Sequence, residues 1–290
     1  LDTSMDVSDS QAFVDKMIEM NLSNSIFIDN TADGKIPDLY EQVFNASISV
    51  ATPNKVAASS AYDQYNRLKQ LAKRNNVQFL FETNVGAGLP VISTLRNLIQ
   101  SGDNIIKIEA VLSGSVSFIF NSFDGSKPFS QLVTEAKELG YTEPDPRDDL
   151  SGADVARKIT ILAREAGYKV ETSDVVINPI LPERCLNAKD VASFFEILKE
   201  EDPYFSQLLQ KAKADNGLLR FIAKAENGKI SCGVEVVGTD SPFYNLGGSD
   251  NMIVFTSQRY KQRPLVVRGP GAGAEVTAAG IFAEIISAGN

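Results

Sequence analysis

The most polar stretch of the sequence, residues 141–149, reads Tyr-Thr-Glu-Pro-Asp-Pro-Arg-Asp-Asp, and the helix predicted to follow it carries Asp154 and Lys158. Residues four positions apart are neighbours on a helix, so this carboxylate lies beside this ammonium group. Two interpretations fit the spacing. The pair is either a solvated surface ion pair worth about 0.3 kcal/mol, or it marks a lysine directed into a cleft, where burial and carboxylates set its pKa.

The residue types that are missing restrict the chemistry further. The chain contains no histidine, which excludes Ser-His-Asp and Cys-His nucleophilic sites, histidine metal clusters and imidazole acid–base catalysis. Catalysis would therefore use carboxylates, lysine, tyrosine or a cofactor. The two cysteines, Cys185 and Cys232, have no CxxC partner, which disfavours a disulfide framework or a zinc site and favours a reducing, cytoplasmic setting.

Two glycine-containing segments are further candidates for ligand contact. Residues 85–90, Val-Gly-Ala-Gly-Leu-Pro, join a predicted strand to a predicted helix. They either form a tight turn or, with Glu82, hold a hard cation or approach a ligand. Residues 268–273, Arg-Gly-Pro-Gly-Ala-Gly, follow a strand and open a helix, where backbone N–H groups can face an anion or a cofactor amide. No second strand follows them, so they do not form a dinucleotide-binding fingerprint.

Polar residues also follow two predicted strands of the first part of the chain. Asn30 and Thr31 come directly after one strand, and residues 52–55, Thr-Pro-Asn-Lys, follow the next. Open α/β sheets bind ligands at the carboxyl ends of their strands. These residues either face a ligand there or only fill polar loops.

The elements that must position these residues change in character near residue 90. Before it, helices and short apolar strands alternate, which predicts right-handed βαβ units and a parallel sheet. The predicted helices span residues 11–20, 37–44 and 57–74, and the predicted strands span residues 25–29, 46–51 and 77–82.

After residue 90 the pattern predicts an α+β arrangement with an antiparallel sheet. Residues 219–225 and 229–237 flank Glu-Asn-Gly, a strong hairpin signal. Further strands are predicted at residues 105–112, 251–258 and 264–268, and helices at 91–100, 130–139, 154–166 and 274–287. The last helix has no predicted packing partner.

Composition is that of a globular protein, with 43% hydrophobic and 22% charged residues. The chain has 28 basic and 37 acidic side chains, a net charge of −9, which argues against nucleic acid or an anionic membrane as partner. No run of 18 apolar residues is present, so a soluble protein is expected. The first residue is Leu1 and no signal sequence follows, which suggests excision from a longer chain.

Taken together, the motifs resemble homoserine dehydrogenase along nearly the whole chain. The amino-acid sequences of the motifs are most similar to those in the dehydrogenase half of bifunctional aspartokinase–homoserine dehydrogenases. The motifs that carry the resemblance are residues 51–55, 82–90, 112–120, 140–158 and 268–273. The resemblance implies an α/β fold: a truncated Rossmann-like parallel-sheet domain plus an α+β substrate-binding and dimerisation domain with an antiparallel sheet.

The resemblance also implies NAD(P)-linked interconversion of L-homoserine and L-aspartate 4-semialdehyde, a step toward threonine and methionine. In such a reaction the cofactor supplies the hydride chemistry, and the protein orients the reactants and moves one proton on the substrate oxygen. By the family pattern Lys158 performs that proton transfer and Asp154 is its electrostatic partner. Glu143 receives the substrate ammonium group, and Asp149 and Tyr141 lie in the same pocket.

The remaining implied contacts surround this pocket. Gly114 and Ser115 match the strand-end turn at the border of the substrate site. Asn30, Thr31 and Lys55 match positions that contact the dinucleotide, and Gly271 lies in the motif that closes over the nicotinamide. The monovalent cation of the family, usually sodium, would be held by Glu82 with the carbonyl groups of Val85, Ala87 and Leu89, and would brace the hinge between domains.

The sequence departs from the family pattern at its front. The family opens with a strand, a glycine-rich GxGxxG turn and a helix, a unit of roughly 30 residues that holds the pyrophosphate; the chain lacks it. The expected parts are a partial dinucleotide-binding domain (1–90), a catalytic, substrate-binding and dimerisation domain (91–268), and a glycine turn and helix that return to the nucleotide domain (269–290). An exposed sheet edge would result, so a homo-oligomer, at least a dimer, is expected.

Three hypotheses follow. The chain is a catalytic dehydrogenase module, for which fusion to an aspartokinase in the parent is an open alternative, or a non-catalytic fragment that binds substrate and dimerises but cannot hold NAD(P). An unrelated amino-acid-binding protein would require several motifs to coincide in order. The choice between NAD and NADP is not determined, because the residue that reads the ribose belongs to the missing unit.

Overall fold

The computed structural model describes residues 9–289 of the chain. Residues 1–8 and 290, which belong to the first and last of the three expected parts, lie outside the described residues. The strands are β1 (Ile26–Ile28), β2 (Ser49–Ala51), β3 (Phe79–Leu80), β4 (Ile105–Val111), β5 (Val176–Ile177), β6 (Leu218–Glu226), β7 (Lys229–Val237), β8 (Asp250–Ser257) and β9 (Leu265–Pro270). The helices are α1 (Ser10–Met20), α2 (Tyr40–Asn45), α3 (Val56–Ser59), α4 (Tyr62–Arg74), α5 (Ile92–Gln100), α6 (Gly114–Ser122), α7 (Phe129–Glu138), α8 (Pro146–Leu150), α9 (Ala153–Glu165), α10 (Glu183–Leu186), α11 (Val191–Glu200), α12 (Asp202–Ala214) and α13 (Ala274–Gly289).

A three-stranded parallel sheet of order β1-β2-β3 organises the first part of the chain, as predicted. Its strands are two or three residues long, shorter than the apolar runs suggest. The helix predicted over residues 57–74 is interrupted at Ser60, whose backbone is extended. Both carboxylate oxygens of Glu171 accept the Tyr62 N–H group, which starts α4 afresh.

The second sheet has six strands in the order β5-β7-β6-β4-β8-β9. The predicted hairpin is present between β6 and β7, and its turn residues Asn227 and Gly228 have φ values of 51° and 74°. The sheet is mixed rather than purely antiparallel, because β5 pairs with β7 in parallel. β5 has only two residues, too few for an alternating pattern to predict it.

Several helices of the second part have no counterpart in the sequence prediction: α6, α8, α10, α11 and α12. α6 begins directly after β4, where the Ser113 side chain accepts the Val116 N–H group as an N-cap. α8 is a single turn of the acidic loop, capped by Asp145 and started by Pro146.

The final helix, α13, packs against the loop that follows β3. The Glu82 N–H group donates to a Glu284 carboxylate oxygen at 2.7 Å. A Cβ atom on Gly280 would lie 2.6 Å from Thr83 Cγ2, so the absence of a side chain there permits the close approach. Among residues 9–289, no helix combines the length and the apolar character needed to cross a membrane.

Candidate active site

A cleft of about 810 Å³ brings together polar segments from distant parts of the chain. It is lined by the segments after β2, β3 and β4, by the acidic loop with the first turns of α9, and by the glycine turn before α13. Of the expected site residues, the cleft is lined by Lys55, Ala87, Gly114, Ser115, Tyr141, Glu143, Asp149, Asp154, Lys158 and Gly271. Asn30, Thr31, Glu82, Val85 and Leu89 are not among its lining residues.

Lys158 is buried on α9, with 11% of its side chain exposed. Its Nζ atom donates to the Leu112 carbonyl at 2.7 Å and lies 2.9 Å from an Asp154 carboxylate oxygen. α9 is buried on several faces, because Thr160, Ile161 and Arg164 are buried as well as its apolar stripe. Lys158 is therefore part of the cleft wall, and the Asp154 side chain beside it is 46% exposed.

Asp154 lies between two lysines. Its second carboxylate oxygen is 3.5 Å from Lys55 Nζ, so the loop after β2 and helix α9 meet at this carboxylate. Burial alone raises the pKa of Asp154, but Lys158 and Lys55 outweigh that effect and hold it below its usual range. Asp154 is thus ionised at neutral pH and fixes both ammonium groups. Lys55, expected at the dinucleotide, is beside Lys158 in the structure.

The acids of the loop divide into two groups. Asp149 is held in place: it accepts the Ser115 hydroxyl at 2.7 Å and the Glu143 N–H group at 2.8 Å. Asp145 is occupied by Arg147. The Glu143 carboxylate, in contrast, is exposed in the cleft and makes no hydrogen bond to another described residue. It is available to a cationic ligand.

Aromatic and small residues shape the walls around these charges. The Tyr141 ring stacks on Phe118 with centroids 4.6 Å apart. Gly114 begins α6 beneath Ser249, whose carbonyl oxygen would be 3.2 Å from a Cβ atom on Gly114. A larger residue at position 114 would narrow the cleft at this point.

The glycine turn approaches a buried amide. A Cβ atom on Gly271 would lie 2.0 Å from Asn251 Cγ, so only glycine fits there. Asn251 is fully buried, and neither its side-chain nitrogen nor its oxygen has a hydrogen-bond partner among the described residues. A buried unpaired amide costs about 1–3 kcal/mol, so the close packing of the glycine turn on Asn251 is offset by contacts elsewhere in the fold.

Asn30 and Thr31 lie outside the cleft, on the exposed loop after β1. The Thr31 N–H and hydroxyl groups both donate to Asp29, at 2.9 and 2.7 Å. Asp29 is buried and also accepts from Tyr40 and Asn54. Asp29 is the organising residue of this strand end; reasoning from sequence missed it, because the predicted strand 25–29 includes Asp29 as its last residue.

The cleft also contains polar residues that the sequence did not single out. Thr83 and Asn84 follow β3, and Thr83 Oγ1 and Asn84 Oδ1 are buried without a partner among the described residues. Arg157, next to Lys158, lines the cleft and is exposed. The sequence signal for Thr83 and Asn84 is their position after a strand. In the sequence-based prediction that signal is applied only to the residues that follow the first two strands.

Glu82, expected at the cation, has a side chain that caps a helix. Its two carboxylate oxygens accept the N–H groups of Ile92 and Ser93, at 2.6 and 2.7 Å, and so cap the N-terminus of α5. The carboxylate is therefore committed to a helix. Backbone carbonyls remain for a cation, together with Glu284 Oε2, a buried atom without a partner in the described part of the chain. Burial raises the pKa of Glu284 to about 7.

Comparisons with known proteins match nearly the whole chain. A family model described as "Homoserine dehydrogenase" matches residues 90–286, and one described as "Homoserine dehydrogenase, NAD binding domain" matches residues 4–82. A Zea mays protein named bifunctional aspartokinase/homoserine dehydrogenase 2, chloroplastic, is 45% identical over 265 residues. This match covers 91% of the chain and 29% of the Zea mays protein, so the chain spans under a third of that relative.

Solved structures agree with the fold. A Candida auris protein of unknown function superposes with a TM-score of 0.93 at 39% identity, over 97% of this chain and 80% of that one. A hyperthermophilic archaeal homoserine dehydrogenase, solved in complex with NADPH, superposes with a TM-score of 0.73 at 28% identity. That match covers 97% of this chain and 75% of the archaeal chain. The expected α/β architecture, a parallel sheet followed by a second sheet, is confirmed.

Proposed function

Because the chain belongs to the homoserine dehydrogenase family, we propose that it is the catalytic module of an NAD(P)-dependent enzyme that interconverts L-homoserine and L-aspartate 4-semialdehyde. This reaction lies on the route to threonine and methionine. The observation that carries the proposal is the buried Lys158, fixed between Asp154 and the Leu112 carbonyl in the wall of the cleft.

The surroundings of Lys158 suit proton transfer in both directions. An ammonium group has three N–H donors, and the Leu112 carbonyl and Asp154 take two. The third can donate to the aldehyde oxygen as that oxygen gains negative charge. In the reverse direction a neutral amine keeps both acceptors satisfied and points its lone pair at the substrate hydroxyl. The bound dinucleotide supplies the hydride chemistry.

The zwitterionic substrate requires charges of both signs. We assign the ammonium group to the Glu143 carboxylate, which the structure leaves without a hydrogen bond to the described residues. Asp149 holds Ser115 and the Glu143 backbone in place, and Tyr141 and Gly114 form the walls. Charge complementarity of this kind orients the substrate in front of Lys158.

The cofactor is NADP or NAD, supported by the matched NAD-binding family model and by the NADPH that the archaeal structure contains. Lys55 and Gly271 line the cleft and are proposed contacts of the dinucleotide. The side-chain oxygens of Thr83 and Asn84, which have no partner among the described residues, fit a group with N–H donors. Asn30 and Thr31 remain proposed contacts for a part of the dinucleotide outside the cleft.

A monovalent cation, sodium in our proposal, would be held by carbonyl groups of Val85, Ala87 and Leu89 and of the Glu82 backbone. The unpartnered Glu284 oxygen beside this loop supports it. Among the described residues no three His, Cys, Asp or Glu side chains form a metal cluster, which agrees with a site of carbonyls. Calcium or zinc would need more charge.

The oligomeric state, the fusion to a further domain and the cellular location are also proposals. We expect a homodimer or larger oligomer, supported by the edge position of β1. Fusion to an aspartokinase in the parent protein is supported by the name of the Zea mays relative. The free, buried thiols of Cys185 and Cys232 fit a cytoplasmic location, although that relative is named chloroplastic.

Calorimetric titration with NADPH, repeated with L-homoserine present, tests the function. Micromolar NADPH binding, strengthened by L-homoserine and followed by NADP⁺ reduction, supports the dehydrogenase. Binding of L-homoserine without any NADPH binding supports the alternative, a substrate-binding and dimerising fragment. Loss of both ligands would overturn the proposal.

A further inference from the structure

A second cavity, of about 390 Å³, lies beside β3 and shares no lining residue with the active-site cleft. Helices α4, α5 and α9 surround it together with the outer edge of β3, which pairs only with β2 in the described part of the chain. One wall is apolar, formed by Ala72, Val77, Phe79 and Ile99, and the other is formed by charged side chains.

Glu165, at the end of α9, anchors the charged wall. Its carboxylate is 1% exposed and accepts from Tyr65, from Lys69 Nζ at 2.8 and 3.1 Å, and from Arg96 Nε at 2.6 Å. Two helices, α4 and α5, therefore present their side chains to one buried carboxylate of a third helix, α9. This holds Lys69 and Arg96 in fixed positions at the cavity.

The Arg96 guanidinium group keeps donors for a ligand. It binds Glu165 through Nε alone, and its two terminal nitrogens make no hydrogen bond to any residue within 9–289. The group lies over the Phe81 ring, 4.7 Å from the centroid, and its side chain is 26% exposed. A guanidinium fork fixed by stacking and by one ion pair is suited to two parallel hydrogen bonds to an oxyanion.

Positive charge exceeds negative charge in this cavity. Lys69, Lys73 and Arg96 give three positive charges against the single negative charge of Glu165, an excess of two. Lys73 forms no ion pair within the described residues. This excess occurs in a chain whose net charge is −9. One cation would neutralise Glu165, so neutralisation does not explain the other two.

We propose that this cavity binds a small phosphate monoester, with the phosphoryl group on Arg96, Lys69 and Lys73 and its organic group on Val77, Phe79 and Ile99. A dianion matches the excess charge, and a concave surface of one sign attracts such a ligand. The site is independent of the proposed dehydrogenase reaction. It lies at the far end of the helix that carries Asp154 and Lys158.

Calorimetric titration of the full chain with inorganic phosphate and with phenyl phosphate, at constant ionic strength set by potassium chloride, tests the proposal. Phenyl phosphate should bind saturably and at least about fivefold more tightly than phosphate, because its ring buries apolar area. Equal affinities would assign the site to free phosphate. No saturable binding of either would overturn the proposal.

Variants locate the anion. Lys73→Gln removes a cation that does not contact Glu165, and Arg96→Lys keeps the charge but removes the fork; each should weaken binding about tenfold. Lys55→Gln, in the active-site cleft, should change the affinity less than twofold. Thermal unfolding of each variant verifies folding. The site would be contradicted if the folded variants Lys73→Gln and Arg96→Lys bound as tightly as the wild type. Weaker binding by Lys55→Gln alone, or equally weaker binding by all three variants, would also contradict it.

Discussion

The two acceptors that hold Lys158, the Leu112 carbonyl and the Asp154 carboxylate, determine what its replacement should do. Lys158→Gln keeps a donor for the carbonyl but cannot exchange a proton with the substrate oxygen. We expect kcat for NADP⁺ reduction by the full-length protein to fall by about 10²–10⁴. Lys199→Gln, at an exposed position of α11, is the control. A loss below about tenfold would exclude Lys158 from proton transfer.

Glu143 should affect binding and not the chemical step, because the ammonium group that we assign to it does not react. Glu143→Gln should raise KM for L-homoserine by about tenfold or more while kcat changes little. Asp148→Asn is the matched control, since Asp148 also lines the cleft. If steady-state kinetics show the rise in KM for Asp148→Asn instead, the ammonium group belongs to Asp148.

At this scale the sequence predicts local neighbours and misses distant ones. The spacing of Asp154 and Lys158 specifies their contact, since both lie on one helix. Nothing in the local pattern shows that Lys55 reaches the same carboxylate, or that Glu82 caps α5. Those contacts depend on how elements pack, and a polar residue after a strand does not reveal which partner it will meet.

Among the elements, α4, α5 and α9 are connected through Glu165, and this connection depends on pH. Burial alone raises the pKa of Glu165, but Arg96 and Lys69 outweigh it and hold it below its usual range. A carboxyl group whose pKa is lower in the folded than in the unfolded state stabilises the protein when the pH is above its unfolded-state pKa of about 4.3. This stabilisation is lost as the pH falls through the folded-state pKa.

Glu165→Gln should therefore lower the free energy of unfolding by about 2–3 kcal/mol at pH 7, since both cations are only partly exposed. Urea unfolding measures it, with Glu138→Gln at an exposed position as control. The difference between wild type and Glu165→Gln should shrink when both are measured near pH 3.5. A constant difference would show that packing, not ionisation, is responsible.

Docking of α13 depends on the absence of side chains at its contact. Gly280→Val should destabilise the protein by about 1–3 kcal/mol, because the new atoms would collide with Thr83 and Gly88. Ala279→Val, one position earlier and exposed, should have little effect. Thermal unfolding compares the two, and equal melting temperatures would mean that α13 can shift without cost.

The elements also show where sequence patterns stop being informative. The Asn-Gly turn predicts the β6–β7 hairpin because its φ values suit few other residues. The apolar pattern predicted no partner for α13, since its buried residues are Gly280, Ile281 and Glu284, while Phe282 and Ile286 on the same helix are exposed. A contact made by one glycine, one isoleucine and one carboxylate forms no continuous apolar stripe, so the sequence pattern does not indicate it.

The molecule as a whole exposes an edge strand. β1 pairs only with β2 among the described residues, and Ile28 is 42% and Phe13 63% exposed near it. We expect light scattering to give at least a dimer at micromolar concentration. If the first sheet forms the interface, Ile28→Lys should lower the measured molecular mass of the oligomer. If the second sheet forms it, Val176→Lys, on the edge strand β5, should lower that mass instead. A monomer at every concentration would contradict oligomerisation.

The contact between Glu82 and Glu284 joins residues 202 positions apart. During synthesis, the loop after β3 leaves the ribosome long before α13 exists, so its backbone must wait for a partner 202 positions further along the chain. The loop beside the parallel sheet therefore gains its α13 contact only after the strands of both sheets have been translated. A nascent chain arrested before Ala274 should be cleaved by protease at residues 82–90, and a released chain that includes α13 should be protected there.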